Sequence, residues 1–219
     1  MNYDFSQVSM TPLYGICHYG MATLHEMFFR GEVAGQENIP ATGPFILASN
    51  HTSHLDPPIV GGHVPREIAA FARKTLWKPG LFGRWLTAVG CIPVDRDGGS
   101  DITAMKRVMQ VLKNGKPVIL FPEGTRSPDG EPRKPKAGVG FIACHTLVPV
   151  VPARIFGSFE ALGKGGALRL TTPVSVVYGR PLLPVDYDDP KGGKERYQIA
   201  ADRIMAAIAE LEMPRVEVV

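Results

Sequence analysis

Cysteine is scarce. Cys17, Cys91 and Cys144 are the only three in 219 residues, odd in number and widely spaced. That excludes a disulfide framework, gives no zinc-ligand pattern and fits a reducing compartment. Long apolar runs are missing too. Phe5 to His25 carries no formal charge, about the length of a bilayer-spanning helix at ~20 residues. Ser6, Gln7, Ser9, Thr11, Pro12, His18 and Thr23 nevertheless make it too polar for one. A signal peptide would need a basic opening and a continuous apolar core, and neither is present. No G-x-S-x-G elbow exists, so Ser49, Ser53 and Cys91 lack the strand–nucleophile–helix setting of a hydrolase. The net charge is only +3, too small for a protein organised around nucleic acid.

What is present is the composition of a folded domain, 44% hydrophobic and 21% charged. Residues 1–110 balance 9 Lys/Arg against 9 Asp/Glu, so the basic excess lies in the second half. It concentrates between Lys113 and Lys136, where Lys113, Lys116, Arg126, Arg133, Lys134 and Lys136 face only Glu123, Asp129 and Glu131. An anion site and a solvated loop are both compatible with that run.

Strands are expected at Phe45–Ala48, Ile68–Ala72, Cys91–Val94, Val118–Phe121 and Val148–Ile155, with a further extended stretch at 168–177. Helices are expected at 57–62, 81–88, 138–145 and in the tail from Lys191 through Leu211. Another, capped by Ser100 and closed by Gly115, has Ile102, Met105, Val108, Met109 and Leu112 as its apolar stripe. The alternation predicts an α/β fold: a single domain over 31–219 with a mixed, largely parallel central sheet flanked by helices. Ahead of it, residues 1–30 read as an N-terminal amphipathic helix capped by Thr11. Leu13, Ile16, Cys17, Gly20, Met21, Leu24, Met27 and Phe28 would share one face. With Tyr14, Tyr19, Phe28 and Phe29, that helix suits either a lipid–water interface or a core-packing role.

Chemistry concentrates at four strand ends, where α/β folds place their sites. Asn50-His51-Thr52-Ser53-His54-Leu55-Asp56 precedes Pro57-Pro58. Asp56 reads as the N-cap of a helix with Pro at its first position. A carboxylate folded back on His51 would fix the imidazole tautomer and leave the second nitrogen free to take a proton. Gly90 to Arg96 is a short strand delivering an arginine. In Phe121-Pro122-Glu123-Gly124-Thr125-Arg126-Ser127 a strand stops at proline and a tight turn presents Glu123 and Arg126, a fit cradle for phosphate. Val148 to Pro152 is apolar and suited to wall a pocket. The H-x-x-H-x-D cluster of His51, His54 and Asp56 leaves a metal-dependent hydrolase as a remote alternative.

In order and spacing these four segments resemble the motifs of the glycerolipid acyltransferases, specifically the 1-acylglycerol-3-phosphate (lysophosphatidate) acyltransferase family. The resemblance covers roughly residues 30–185. It departs at Pro93, and at Arg73-Lys74-Thr75-Leu76, where Arg73 stands in for a lysine of the relatives. It implies transfer of a fatty acyl group from a thioester, acyl-CoA or acyl carrier protein, to the free sn-2 hydroxyl of 1-acylglycerol 3-phosphate. The product would be phosphatidic acid for phospholipid biosynthesis; another lysolipid or glycerol 3-phosphate as acceptor stays open. By the same resemblance His51 is the base and Asp56 its orienting partner. Arg96, Arg126, Glu123, Gly124, Thr125 and Arg73 bind substrate, and Pro152 lines the pocket. No cofactor or metal is implied beyond the acyl thioester co-substrate. The expected partners are the lysophospholipid and acyl thioester substrates, the membrane surface and, as a candidate donor, acyl carrier protein, with no nucleic acid. The expected place is the cytoplasmic face of the cell membrane, peripheral or interfacially anchored.

Overall fold

The structure, a computed structural model, describes residues 10–77, 80–94 and 101–213. Its frame is a five-stranded sheet. In spatial order the strands are β1 (Val33–Ala34), β7 (Ser175–Tyr178), β6 (Val150–Phe156), β2 (Ile46–Ser49) and β5 (Val118–Leu120). β2 runs parallel to both neighbours, β1 runs parallel to β7, and β6 with β7 is the antiparallel pair. β3 (Ala70–Arg73) and β4 (Cys91–Val94) form a parallel wing. A bridge between Ala69 and Val118 joins it beyond β5. The expected mixed, largely parallel sheet is therefore present, and Pro93 lies in β4, which pairs only with β3 among the described strands.

β2 is central because all four of its residues are apolar or small enough to be buried on both faces. Side-chain alternation then divides the interior in two. Ile46 and Ala48 face a core built with α4 (Asp101–Lys113), α5 (Ala137–Thr146) and α8 (Arg196–Ala209). Phe45 and Leu47 face the other core, with α2 (Asp56–Gly62), α6 (Ser158–Leu162) and Phe29 at the end of α1 (Pro12–Phe29).

Element ends differ from the sequence reading by a residue or two, with larger changes near the C-terminus. Of the stretch 168–177 only β7 is strand. The last helix begins at Arg196, and a one-turn helix, α7 (Pro184–Tyr187), precedes it. The Tyr187 hydroxyl donates to Val148 O at 2.9 Å, tying that turn to the start of β6. Ser100, expected to cap α4, lies outside the described residues. α5 and α8 touch backbone to backbone at Gly140, where a Cβ would stand 1.9 Å from Tyr197 O. Gly140→Ala should therefore lower the urea midpoint by the equivalent of ~1–3 kcal/mol, with an unchanged m-value.

α1 starts as expected after Thr11, and of the two roles left open for its stripe the core-packing one is not seen for most of its larger apolar members. Leu13, Ile16, Leu24 and Met27 are exposed, while Tyr14, His25 and Phe29 are buried. The inward face is held by imidazoles. His25 Nε2–H donates to Val174 O at 2.6 Å, so its Nδ1 accepts from His63 Nε2–H at 2.9 Å. This chain requires the His25 ring neutral, since its Nε2–H donates while its Nδ1 accepts. Burial, with a smaller contribution from His25 and His18, pushes His63 down to about 4. Burial also lowers His25 against the opposing pulls of Val174 O and Glu26. The unfolded chain thus binds more protons than the folded one once pH drops below 6.5. Stability is full above that value and is lost progressively as pH falls toward 4. For His63 alone the loss is on the order of 3 kcal/mol. Urea titrations at pH 7.5 and pH 4.5 should show it, and His63→Gln, which keeps a donor but does not titrate, should flatten it.

Candidate active site

The site begins where β2 ends. Asn50 locks that end to β6: its amide donates to Ile155 O at 2.9 Å and its carbonyl accepts Ile155 N–H at 2.8 Å. The next residues loop out and return at α2. The helix cap is Leu55, and Asp56 is the first helical residue, which corrects the expected N-cap assignment. The reason lies in the following sequence. A capping carboxylate would look for amides two and three residues on. Pro58 has none, and Ile59 N–H is taken by Leu55 O. The Asp56 carboxylate therefore reaches backward over its own loop. Oδ2 accepts Thr52 N–H at 2.6 Å, Ser53 N–H at 2.7 Å and His51 Nδ1–H at 2.8 Å.

Asp56 is 0% exposed, so these hydrogen bonds act without competing water. Because a carboxylate only accepts, Nδ1 must carry the ring proton, and Nε2 keeps its lone pair. Nε2 makes no hydrogen bond among the described residues. Further anchors fix the loop: Thr52 Oγ1 meets Ser158 Oγ at 2.8 Å, and Ser53 Oγ donates to Leu162 O at 2.7 Å. The base is held by its surroundings on nearly every side.

The loop after β5 forms the other wall, since β5 is parallel to β2 and both strands deliver their C-termini to one end. Phe121 stacks on the His51 ring, centroids 4.0 Å apart and 20° from coplanar. Ser127 N–H donates to His51 O at 2.8 Å, and His51 N–H donates to Glu123 Oε1 at 3.1 Å. Glu123 is 2% exposed, and its Oε2 has no hydrogen-bond partner. Burial pushes its carboxyl up to about 7, with Asp56 adding to the rise and the amides of His51 and Arg133 opposing it. Its carboxyl faces the backbone of the base, which makes it a positioning residue. Gly124 turns the chain at φ 70°, a left-handed conformation suited to glycine, and the Lys136 side chain packs over it.

Thr125 is exposed at the tip of the turn and Arg126 half-buried beside it. Burial lowers the His54 pKa, and the charges of Arg126 and His51 lower it further, so the guanidinium lies within electrostatic reach of the site. His54 is exposed above the loop. Arg73 ends β3 at the same end of the sheet and is exposed. Arg96 lies outside the described residues. Pro152 is buried within β6 opposite Ala48, in the sheet and not at the rim. No group of three or more His, Cys, Asp or Glu side chains among the described residues is placed to hold a metal ion. The roles of Phe121 and Ser127 were hidden in the sequence, where one reads as a strand residue and the other as part of a turn.

A histidine whose far nitrogen is held by a buried carboxylate, at the C-terminal edge of an α/β sheet, defines a general-base site. The model of the Acyltransferase family matches residues 30–156, a span that holds both loops, and the chain belongs to that family. The 1-acyl-sn-glycerol-3-phosphate acyltransferase of Bacillus subtilis is 30% identical over 203 residues, 91% of this chain and 97% of that protein. The chloroplastic BAT2 enzyme of that name from Brassica napus is 34% identical over 145 residues, 63% of this chain and 40% of its own length. The crystal structure of the 1-acyl-sn-glycerophosphate acyltransferase PlsC from Thermotoga maritima has a TM-score of 0.68 at 27% identity. It covers 90% of this chain and 76% of that one.

His51→Ala should lower kcat/KM by ~10²–10⁴-fold while near-ultraviolet circular dichroism stays native. Asp56→Asn should lower kcat by a similar factor, because an amide can present its N–H₂ to Nδ1 and favour the wrong tautomer. Turnover within a few-fold of wild type in either variant would exclude the base assignment.

Proposed function

We propose that this enzyme transfers a fatty acyl group from a thioester to the sn-2 hydroxyl of 1-acylglycerol 3-phosphate, giving phosphatidic acid. One observation carries the reading: the His51–Asp56 pair, with Nε2 unengaged among the described residues, in a chain similar along its length to a protein named for that reaction. His51 Nε2 accepts the hydroxyl proton as the alcohol oxygen bonds to the thioester carbonyl carbon. Asp56 stabilises the imidazolium. The tetrahedral adduct then collapses, the C–S bond breaks, and the imidazolium returns its proton to the departing thiolate. A thiolate leaves readily, so no acyl-enzyme is required. Acyl-CoA and acyl carrier protein both satisfy this chemistry.

The acceptor's phosphate would be held by Arg126 with the Glu123-Gly124-Thr125 turn, and by Arg96 and Arg73. The electrostatic reach of Arg126 over His54 and the common strand end shared by Arg73 support that arrangement. A charge-assisted contact of this kind is worth roughly 1.5–3 kcal/mol. The enzyme would work at the cytoplasmic face of the membrane, lying on it. No described helix is long and apolar enough to cross a membrane, while the outward stripe of α1 offers an apolar face.

The test is product identification: purified protein with labelled acyl-CoA or acyl carrier protein, and lysophosphatidate, other lysolipids or glycerol 3-phosphate as acceptor. Phosphatidic acid from lysophosphatidate is expected, and acylation of another acceptor alone would overturn the assignment. Arg126→Ala should raise the acceptor KM by ~10–100-fold with little change in the donor KM. A change confined to the donor would contradict the phosphate role.

A further inference from the structure

The region around α3 (Leu81–Ala88) takes no part in the chemistry above, yet it carries a cluster of exposed apolar side chains. Leu81 is 82% exposed and Phe82 57%, with Trp85 and Leu76 also exposed. This face is built, not ragged. Phe82 and Trp85 stack at 5.6 Å. Trp77 Nε1–H donates to Thr87 Oγ1 at 2.9 Å, tying the turn that follows β3 to the end of α3.

Its charge has one sign. Between Glu67 and Asp95 the sequence contains no acidic residue, while Arg73, Lys74 and Arg84 are exposed. Trp85 Nε1–H donates to Cys17 Sγ at 3.2 Å, joining α3 to α1. Leu13 and Leu24 lie on the Cys17 side of α1 at helical spacing, and both are exposed. The two apolar faces are thus continuous. Topology also places them. The turn after Arg73 leaves the sheet at the end that carries His51 and Phe121, so α3 begins there with Leu81 and Phe82.

We propose that α3 is a second membrane-inserting element, which with α1 presses the catalytic end of the sheet onto an anionic bilayer. Leu81, Phe82 and Trp85 enter the acyl boundary, and Lys74 and Arg84 meet lipid phosphates. Exposed apolar area with aromatic residues and cationic flanks is the chemistry of interfacial binding. The inference rests on the lipid-acceptor reading only for its purpose; the contact with lipid is measured separately.

Two readouts test it. In Trp77→Phe, Trp85 is the sole tryptophan of the original two. Its emission should shift to the blue with phosphatidylglycerol vesicles and be quenched by brominated acyl chains. The double variant L81E/F82E should bind those vesicles ~10-fold or more weakly in flotation. Its turnover on a water-dispersed short-chain acceptor should equal that of wild type.

Undiminished flotation of L81E/F82E, or Trp85 emission unmoved by vesicles, would overturn the proposal. So would a loss of turnover specific to the acyl carrier protein donor, which assigns the face to that acidic protein. A concentration-dependent dimer abolished by L81E/F82E would assign it to a second copy of the chain. If vesicle binding behaves as expected but no lyso-acceptor is acylated, the docking surface stands and the proposed reaction falls.

Discussion

The site depends on one carboxylate oxygen. Asp56 Oδ2 gathers the amides of Thr52 and Ser53 and the ring of His51. That single atom fixes the loop backbone, the direction of the imidazole and its tautomer. Placing a charge at a fully buried position is costly unless it is met by donors. Three short hydrogen bonds meet it here. Removing the charge would therefore disturb shape and chemistry together, whereas removing the imidazole leaves the loop its two amide contacts.

The second loop converts this arrangement from a pair into a cleft. Phe121 covers one face of the ring, and Ser127 and Glu123 hold the His51 backbone from either side. Glu123 Oε1 does so by accepting His51 N–H, although its burial raises its pKa. The motif that would meet a substrate phosphate is thus physically part of the motif that holds the base. A shift of one loop would move the other, and under the proposed function the reacting hydroxyl and the charge that anchors it would stay in register.

Much of this was legible in the sequence, for identifiable reasons. His51 and Asp56 stood out because proline after an aspartate marks a helix start, and five residues allow a turn back. The sheet could be read because its strands are short apolar runs that end in Gly, Pro or polar residues. The cap assignment failed because Pro58 withdraws the amide that Asp56 would have capped, a consequence visible only once the loop is folded. Whether the stripe of α1 would meet lipid or core was left open by the sequence, and Leu13, Ile16, Leu24 and Met27 turn outward. Apolar spacing says that a face exists, and only the partners decide which face turns inward. Here Tyr14, His25 and Phe29 took the inner side. Phe121 and Ser127 were hidden because stacking on a ring and donating to a distant carbonyl leave no periodic trace.

The β3–β4 wing meets the main sheet at one bridge, where Ala69 N–H donates to Pro117 O and Ile119 N–H to Ala69 O. Its seam is narrow beside the ladders on either side of β2. Amide protons in the wing should therefore exchange with deuterium well before those of β2, because parting such a seam disturbs few backbone pairings. Backbone pairing is graded across this sheet, continuous on either side of β2 and thinnest where the wing joins β5.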